Sequence, residues 1–414
     1  MNDDDILIKP PPRPRESLRI AVVTETYPPE VNGVALTAAH FVEGLRRRDH
    51  DIQVVRPRQS AADHARSDLR YNEVLTHGVP IPRYPGLKMG LPAGRALTRL
   101  WTCGRPDLVH IVTEGPLGWS ALHTARKLKL PVCTDFRTNF HVYSRHYGVG
   151  WLKHPIMAYL RCFHNRTMLT LVPTDWMRRE LTMLGFRNVT VVARGVDTGL
   201  FNPARRSMEL RRQWGVAPTD PVIVHVGRLA PEKNLPLLGA AFEAMRAREP
   251  RAKLVLVGDG PARDAFEARH PDAIFSGVRF GEDLATHFAS ADIFLFPSVT
   301  ETFGNVTVEA MASRLAIVAY DYAAASAHLR HSHSGLLAHY DDADQFVNLA
   351  ADLVTRPMHI HELGARARLA AESIEWDRVV QQLESQLRLL VAAAAGRLHS
   401  TTLDQSPHVD GVTP

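Results

Sequence analysis

Two doubly wound α/β units in tandem are what this sequence predicts, and three observations carry the prediction. Short, continuous apolar runs recur along the chain with helical stretches between them, the pattern of buried parallel strands wrapped on both faces. The alternation starts near Leu18, breaks in a polar stretch and restarts at Val222. The 414 residues are also too many for one ordinary core, so two domains of ordinary size are expected.

Residues 1–17 (MNDDDILIKPPPRPRES) are polar and proline-rich and read as a mobile lead-in. Residues 18–24 (LRIAVVT) form the first expected strand, followed by the turn-rich segment Tyr27-Pro28-Pro29-Glu30-Val31-Asn32-Gly33. Val34, Ala38, Phe41, Val42 and Leu45 then recur at helical spacing, up to a basic Arg46-Arg47-Arg48 end that suits a helix C-terminus. Further strands are expected at 52–55, 108–112, 132–136, 169–173 and 189–193. The second set is expected at 222–226, 254–257, 274–276, 293–296 and 315–319. Residues 197–221, with Pro203, Pro218 and a cluster of arginines, read as the linker. The expected domains are therefore 18–200 and 201–375, followed by an amphipathic helix at 376–395 that crosses back to the first, and a flexible tail at 396–414.

Composition narrows the class. A hydrophobic fraction of 45% and a charged fraction of 22% belong to a globular chain and set aside a disordered or fibrous one. A net charge of +5 is too mild to argue for nucleic acid, while leaving room for a local basic face. Cys103, Cys133 and Cys162 are odd in number and widely spaced, so neither a disulfide framework nor a zinc site follows, and a reducing compartment fits. The longest stretch free of charged side chains, 31–42, falls short of the roughly 20 residues a membrane span needs. Asp3, Asp4 and Asp5 are wrong for a signal peptide. A soluble, cytoplasmic protein is expected.

The richest segment is 297–311, PSVTETFGNVTVEAM. If a strand ends near Phe296 and a helix starts near Asn305, Glu301 lies in the loop and Glu309 about one turn inside the helix. Thr302, Phe303, Gly304 and Asn305 then offer backbone N–H groups at a helix N-terminus, which suits a diphosphate or sugar hydroxyls. A solvated first-turn glutamate is the plain alternative for Glu309, weakened by the apolar Ala310, Met311 and Ala312 beside it. In 226–235, VGRLAPEKNL, Arg228 and Lys233 flank a turn at Pro231. They either converge on one anion, stabilising a leaving diphosphate without a metal, or belong to a solvated charged loop. In 24–34, TETYPPEVNGV, Gly33 allows close backbone approach just before a helix. Gly258-Asp259-Gly260 begins like a dinucleotide fingerprint, but Arg263 stands at the third glycine position, so no nicotinamide cofactor is expected. Asp342 and Asp344 read as helix-capping residues, and the histidines, such as His331 and His333, sit in polar surroundings; no metal site is expected. Lys88, Arg95 and Arg99 around Leu91, Leu97, Leu100 and Trp101 fit a basic amphipathic helix, either on an anionic membrane or with its apolar side in the core.

Taken together, these segments resemble the retaining nucleotide-sugar glycosyltransferases of family four, whose GT-B fold has two Rossmann-like doubly wound domains facing a cleft. The likeness spans about 18–376 and rests on TETYPPEVNGV, RTNFHVYSRHYG, VARGVDTGLFNP, VGRLAPEKNL, LVGDGP and FPSVTETFGNVTVEAMAS. Within the family it resembles the GDP-mannose-dependent alpha-mannosyltransferases and related lipid glycosyltransferases. The resemblance implies that Glu301 contacts the sugar hydroxyls and Glu309 the nucleotide ribose. Arg228 and Lys233 would bind the donor diphosphate with Gly33 and the backbone of Gly304, Asn305 and Val306, and Gly277 would lie beside the nucleobase. It also implies a nucleoside diphosphate sugar donor on the C-terminal domain, a lipid or glycan acceptor on the N-terminal one, no metal and no cofactor. The expected place is the cytoplasm, with peripheral contact to the inner face of an anionic membrane as an option.

Two positions depart from the family. Phe136-Arg137-Thr138 stands where many relatives have a histidine in F-H-T, and Arg314 and Ala316 stand where glycine and proline are frequent. Arginine stays protonated and cannot be a base. Arg137 therefore either stabilises charge growing on the diphosphate, or anchors an anionic acceptor, or pairs with Asp135; His141 is the substitute histidine. A nucleotide-sugar epimerase of the same fold and a non-enzymatic sugar-nucleotide sensor are the competing readings.

Overall fold

The computed structural model describes residues 17–30, 32–81, 84–137 and 153–403. Residues 1–16 of the expected lead-in, Val31, Thr138, His141 and the 404–414 end of the expected tail lie outside the described residues.

The first sheet is built around β1 (Arg19–Val23), which pairs in parallel with β2 (Asp51–Pro57) on one side and β7 (Leu108–Ile111) on the other. Beyond β2 come β4 (Tyr71–Thr76), in parallel, and the short antiparallel edge β3 (Ser67–Asp68). Beyond β7 come β8 (Val132–Asp135), β9 (Leu169–Val172) and β10 (Val189–Val191), giving the order β10-β9-β8-β7-β1-β2-β4-β3. A separate hairpin pairs β5 (Gly78–Ile81) with β6 (Tyr84–Gly90).

The second sheet is parallel throughout. Its strands are β11 (Val222–Val226), β12 (Lys253–Val257), β13 (Ile274–Gly277), β14 (Ile293–Phe296), β15 (Ala316–Tyr320) and β16 (Leu336–Ala338), in the order β13-β12-β11-β14-β15-β16. That is the 3-2-1-4-5-6 order of a Rossmann sheet. Successive side chains point to opposite faces. Val224 and Phe294 join one apolar cluster with Phe288, Phe303 and Met311, while Ile223 and Leu295 join another with Leu238, Phe242 and Phe346. Both sheets change direction beside their first strand, at β1/β7 and at β11/β14, and such switch points are where open α/β sheets bind ligands.

The chain packs as two compact units, Met1–Thr26 with Leu45–Cys133 and Glu384–Pro414, and Tyr27–Gly44 with Thr134–Leu383. All the candidate site residues named above that the structure describes, from Gly33 to Glu309, belong to the second.

Several expectations are refined. The helix expected over 376–395 is Trp376–Leu403, so the expected tail is helical in its first part. Lys88 lies in β6, and the basic helix is only Gly94–Cys103. Its Leu97 and Trp101 are buried, and the Trp101 indole N–H donates to Gln53 Oε1 at 3.0 Å. Asp342 does cap a helix, accepting from the Gln345 amide at 3.0 Å. Gly258 and Gly260 serve packing: a β-carbon would come 1.9 Å from the Gly227 carbonyl oxygen at one and 2.4 Å from the Leu229 carbonyl oxygen at the other. Arg314 has φ 67, the left-handed region that favours glycine, which explains why glycine suits that turn.

Candidate active site

The site grows from the carboxyl ends of β11 and β14. Gly227, φ 151, leads the chain out of β11 into Arg228 and a single 3-10 turn, Pro231–Lys233. The loop after β14 carries Ser298 and Glu301, then Gly304 at φ 89 opens the helix Asn305–Ala312 with no side-chain cap. The amides of Asn305 and Val306 therefore lie in a first turn where a helix provides them no partner.

Lys233 joins the two loops. Its ammonium donates to Glu301 Oε1 and sits 5.4 Å from the Phe296 ring centroid. The Ser298 hydroxyl donates to the same oxygen at 2.7 Å, and the Tyr322 hydroxyl donates to the Glu301 carbonyl at 2.6 Å. Burial opposes ionisation of Glu301. The charge and hydrogen bond of Lys233, the Ser298 hydroxyl and the charge of Arg194 outweigh it and hold the carboxyl below its ordinary value. Glu301 is thus an oriented anion.

Arg228 does not share that carboxylate. It pairs with Glu232, which is 2% exposed, and Glu232 in turn accepts from Ser298 and Thr300 through its carbonyl at 3.4 and 3.5 Å. The two cations expected to converge are therefore each held by a different acid. Glu309 lies on the helix as expected, and burial alone lifts its carboxyl to about 7.

Arg194, not singled out by sequence, links the parts. It is 5% exposed, and its Nη1 donates to Asn305 Oδ1 at 3.1 Å. Burial first, then the neighbouring Arg137 charge, push its guanidinium down to about 9, although Asp135 and Glu301 pull the other way. The reason for Gly33 is here: a β-carbon would come 2.9 Å from Arg194 Nη1. The helix that Gly33 opens spends its Val34 and Ala35 amides on Asn32 Oδ1, at 3.1 and 2.9 Å. Arg137 is 3% exposed, 3.4 Å from Asp135 Oδ2, and its guanidinium carbon lies 5.1 Å from the Phe41 ring centroid. Its Nε and Nη1 find no hydrogen-bond acceptor among the described residues. Gly277 ends β13 at φ 69 with open space where a side chain would be, and its carbonyl accepts from the Gly258 amide at 2.8 Å.

Setting the neutralised Arg228–Glu232 pair aside, Arg137, Arg194 and Lys233 are accompanied by Asp135 and Glu301, so positive charge exceeds negative in a largely buried place. A buried cation surplus with unspent donors is a site for an anion. Among the described residues no cluster of His, Cys, Asp and Glu is arranged to hold a metal ion.

Residues 31–200 match the model described as Glycosyltransferase Family 4, and 220–356 match Glycosyl transferases group 1. A GDP-mannose-dependent alpha-mannosyltransferase of Mycobacterium tuberculosis (strain CDC 1551 / Oshkosh) is 32% identical over 372 residues, covering 88% of this chain and 95% of the relative. The alpha-monoglucosyldiacylglycerol synthase of Streptococcus pneumoniae (strain ATCC BAA-255 / R6) is 25% identical over 73% of this chain and 71% of its own length. The solved sucrose-phosphate synthase from Thermosynechococcus elongatus superposes with a TM-score of 0.73 at 17% identity, over 91% of this chain and 100% of that one, and shows the fold.

Proposed function

This chain belongs to the glycosyltransferases of group 1 and family 4 and is a glycosyltransferase, and on that premise we propose that it transfers mannose from GDP-mannose to a hydroxyl of a lipid or glycan acceptor. The observation that carries the donor reading is the buried cation surplus of Arg137, Arg194 and Lys233 beside the uncapped helix N-terminus at Asn305. A diphosphate supplies the missing negative charge and takes the open amides. Glu301 is oriented to accept from sugar hydroxyls, and Glu309 to accept from the ribose. Gly277 leaves room beside the base.

The chemistry we assign is a same-face displacement with retention. The acceptor oxygen bonds to the anomeric carbon on the side from which the diphosphate leaves. The anomeric carbon–phosphate oxygen bond breaks, and the acceptor's proton passes to the departing phosphate oxygen. No base is needed at Arg137, which with Lys233 stabilises the growing charge, so no metal is needed either. Similarity to a diacylglycerol-modifying relative favours a lipid acceptor. So does a groove of about 1060 Å³ along the helix Gly94–Cys103, lined by Leu91, Leu97 and Leu100, with exposed Arg95 and Arg99 on its rim to meet anionic headgroups. Among the described residues no helix is long and apolar enough to cross a membrane.

The test is incubation with GDP-mannose and a lipid extract in excess chelator, with the product's anomeric configuration read by NMR. An alpha-mannosylated product supports the reading. Loss of activity rescued by magnesium or manganese contradicts the metal-free part. A new nucleotide sugar formed without acceptor points to the epimerase.

A further inference from the structure

His225 is fully buried in β11, with the neighbourhood of a functional group. Its Nδ1 lies 3.0 Å from the Leu295 carbonyl oxygen, an acceptor only, so the proton sits on Nδ1 and Nε2 carries the lone pair. That Nε2 has no hydrogen-bond partner among the described residues. Burial first, and the charge of Lys233 next among the lowering effects, hold the ring down to about 4, so it stays neutral. A buried acceptor left unmatched costs stability, and a native structure keeps one where it has a use.

The surroundings show the use. An ideal β-carbon on Gly227 would stand 3.9 Å from His225 Nε2 and 3.8 Å from Lys233 Cε, so imidazole and lysine stem border the same small space, which the glycine leaves open. The imidazole stacks on Phe296, with centroids 6.2 Å apart, and Lys233 Nζ lies over that same ring. The ammonium has three protons, and Glu301 takes one of them.

We propose that His225 is a positioning residue for Lys233: its Nε2 accepts an ammonium proton when the donor's sugar engages Glu301, keeping Lys233 aimed at the diphosphate. The inference rests on the donor site proposed above and adds to it a residue that touches neither sugar nor phosphate. A neutral acceptor suits the task because it directs the ammonium without cancelling its charge. A second carboxylate there would compete with the diphosphate.

The test uses the full chain with GDP-mannose as probe, comparing His225→Phe, His225→Gln, Lys233→Met and the double variant that combines His225→Phe with Lys233→Met. His225→Phe removes the unmatched Nε2 but also the Nδ1–H that the Leu295 carbonyl accepts. The two changes oppose each other, so the melting temperature stays about equal, while turnover falls roughly tenfold, the size of a lost charge-assisted hydrogen bond. His225→Gln, whose amide oxygen restores an acceptor, recovers most of it. On the Lys233→Met background His225→Phe adds no further loss, because the two act as one unit. If the phenyl ring does not fit and the melting temperature falls, His225→Leu makes the same comparison with a smaller side chain. Wild-type turnover in the acceptor-free variants, or a loss that adds fully to that of Lys233→Met, overturns the role of His225 alone. A Lys233→Met variant that binds and turns over GDP-mannose like wild type overturns the donor site itself, and this inference with it.

Discussion

At the end of β1 the chain closes a helix N-terminus with its own carboxylate; at the end of β14 it leaves one open. Glu25 Oε1 accepts from the Leu117 amide at 3.0 Å, at the start of the helix Pro116–Lys127. Gly115 makes room for it, since a β-carbon there would come 2.2 Å from Glu25 Oε2. At the second switch point Gly304 gives no side-chain cap, and the charges brought near are Lys233 and Arg194. Equivalent topology thus carries opposite electrostatics. The first switch point closes its helix with a carboxyl of its own. The second brings cations to a helix start with no side-chain cap among the described residues, which is where the proposed donor site would take a ligand's anion.

The largest expected effects fall on the open site. Glu301→Ala chiefly lowers turnover and Glu309→Ala weakens donor binding, each roughly tenfold or more, since a buried charge-assisted hydrogen bond contributes about 1.5–3 kcal/mol. Glu25→Gln leaves GDP-mannose binding within about twofold, because its helix is already satisfied from within the protein. Wild-type kinetics in both Glu301→Ala and Glu309→Ala would remove the distinction between the switch points.

Next comes Arg137. Arg137→Ala loses far more rate than Arg137→Lys, with the melting temperature unchanged, and His141→Ala is milder than either. Full activity in Arg137→Ala together with none in His141→Ala would hand the role to His141.

Stability against pH sharpens the comparison further. Burial lifts both Glu25 and Glu309 from 4.5 to about 7, in Glu25 against the amides of Leu117, Gly118 and Gly90. A carboxyl with a raised folded pKa stabilises while protonated. Its contribution is complete below 4.5 and is lost as pH climbs to about 7. The melting temperature therefore declines across that window, and Glu25→Gln and Glu309→Gln each flatten part of the decline. Saturating GDP-mannose flattens only the part due to Glu309. A level profile in the wild type would contradict both assignments.

The smallest effect concerns the basic helix. Arg95→Glu with Arg99→Glu weakens binding to anionic vesicles, and salt does the same to wild type. Equal co-sedimentation with neutral and anionic vesicles would leave the groove without its membrane.

Much of this is legible in the sequence, for physical reasons that can be named. Every residue of β11 and β14 is buried, so both read as short apolar runs with the right ends, broken only by His225 in β11. The strands from Ser67 to Gly90 carry no such signal: Ser67 and Asp68 are both exposed, and in Tyr71–Thr76 only Glu73 is buried, among half-buried positions and the exposed Asn72. Leu336–Ala338 is too short to stand out from its polar flanks. Glu301 and Lys233 stand out because they flank turns after such strands. Arg194 does not, because its partner Asn305 is 111 positions away and nothing local marks a buried arginine. In TETYPPEVNGV the sequence points to Gly33 for approach to a ligand. The structure adds that Gly33 yields space to Arg194 and that Glu25, in the same segment, closes a helix.

The most direct test of the open switch point is calorimetric titration of GDP-mannose into wild type, Arg194→Met and Glu25→Gln. The account predicts binding to wild type and Glu25→Gln with the same affinity, and at least tenfold weaker binding to Arg194→Met, whose melting temperature is not lowered because its buried charge is gone. Equal affinity in all three proteins, or weakening in Glu25→Gln alone, would contradict it.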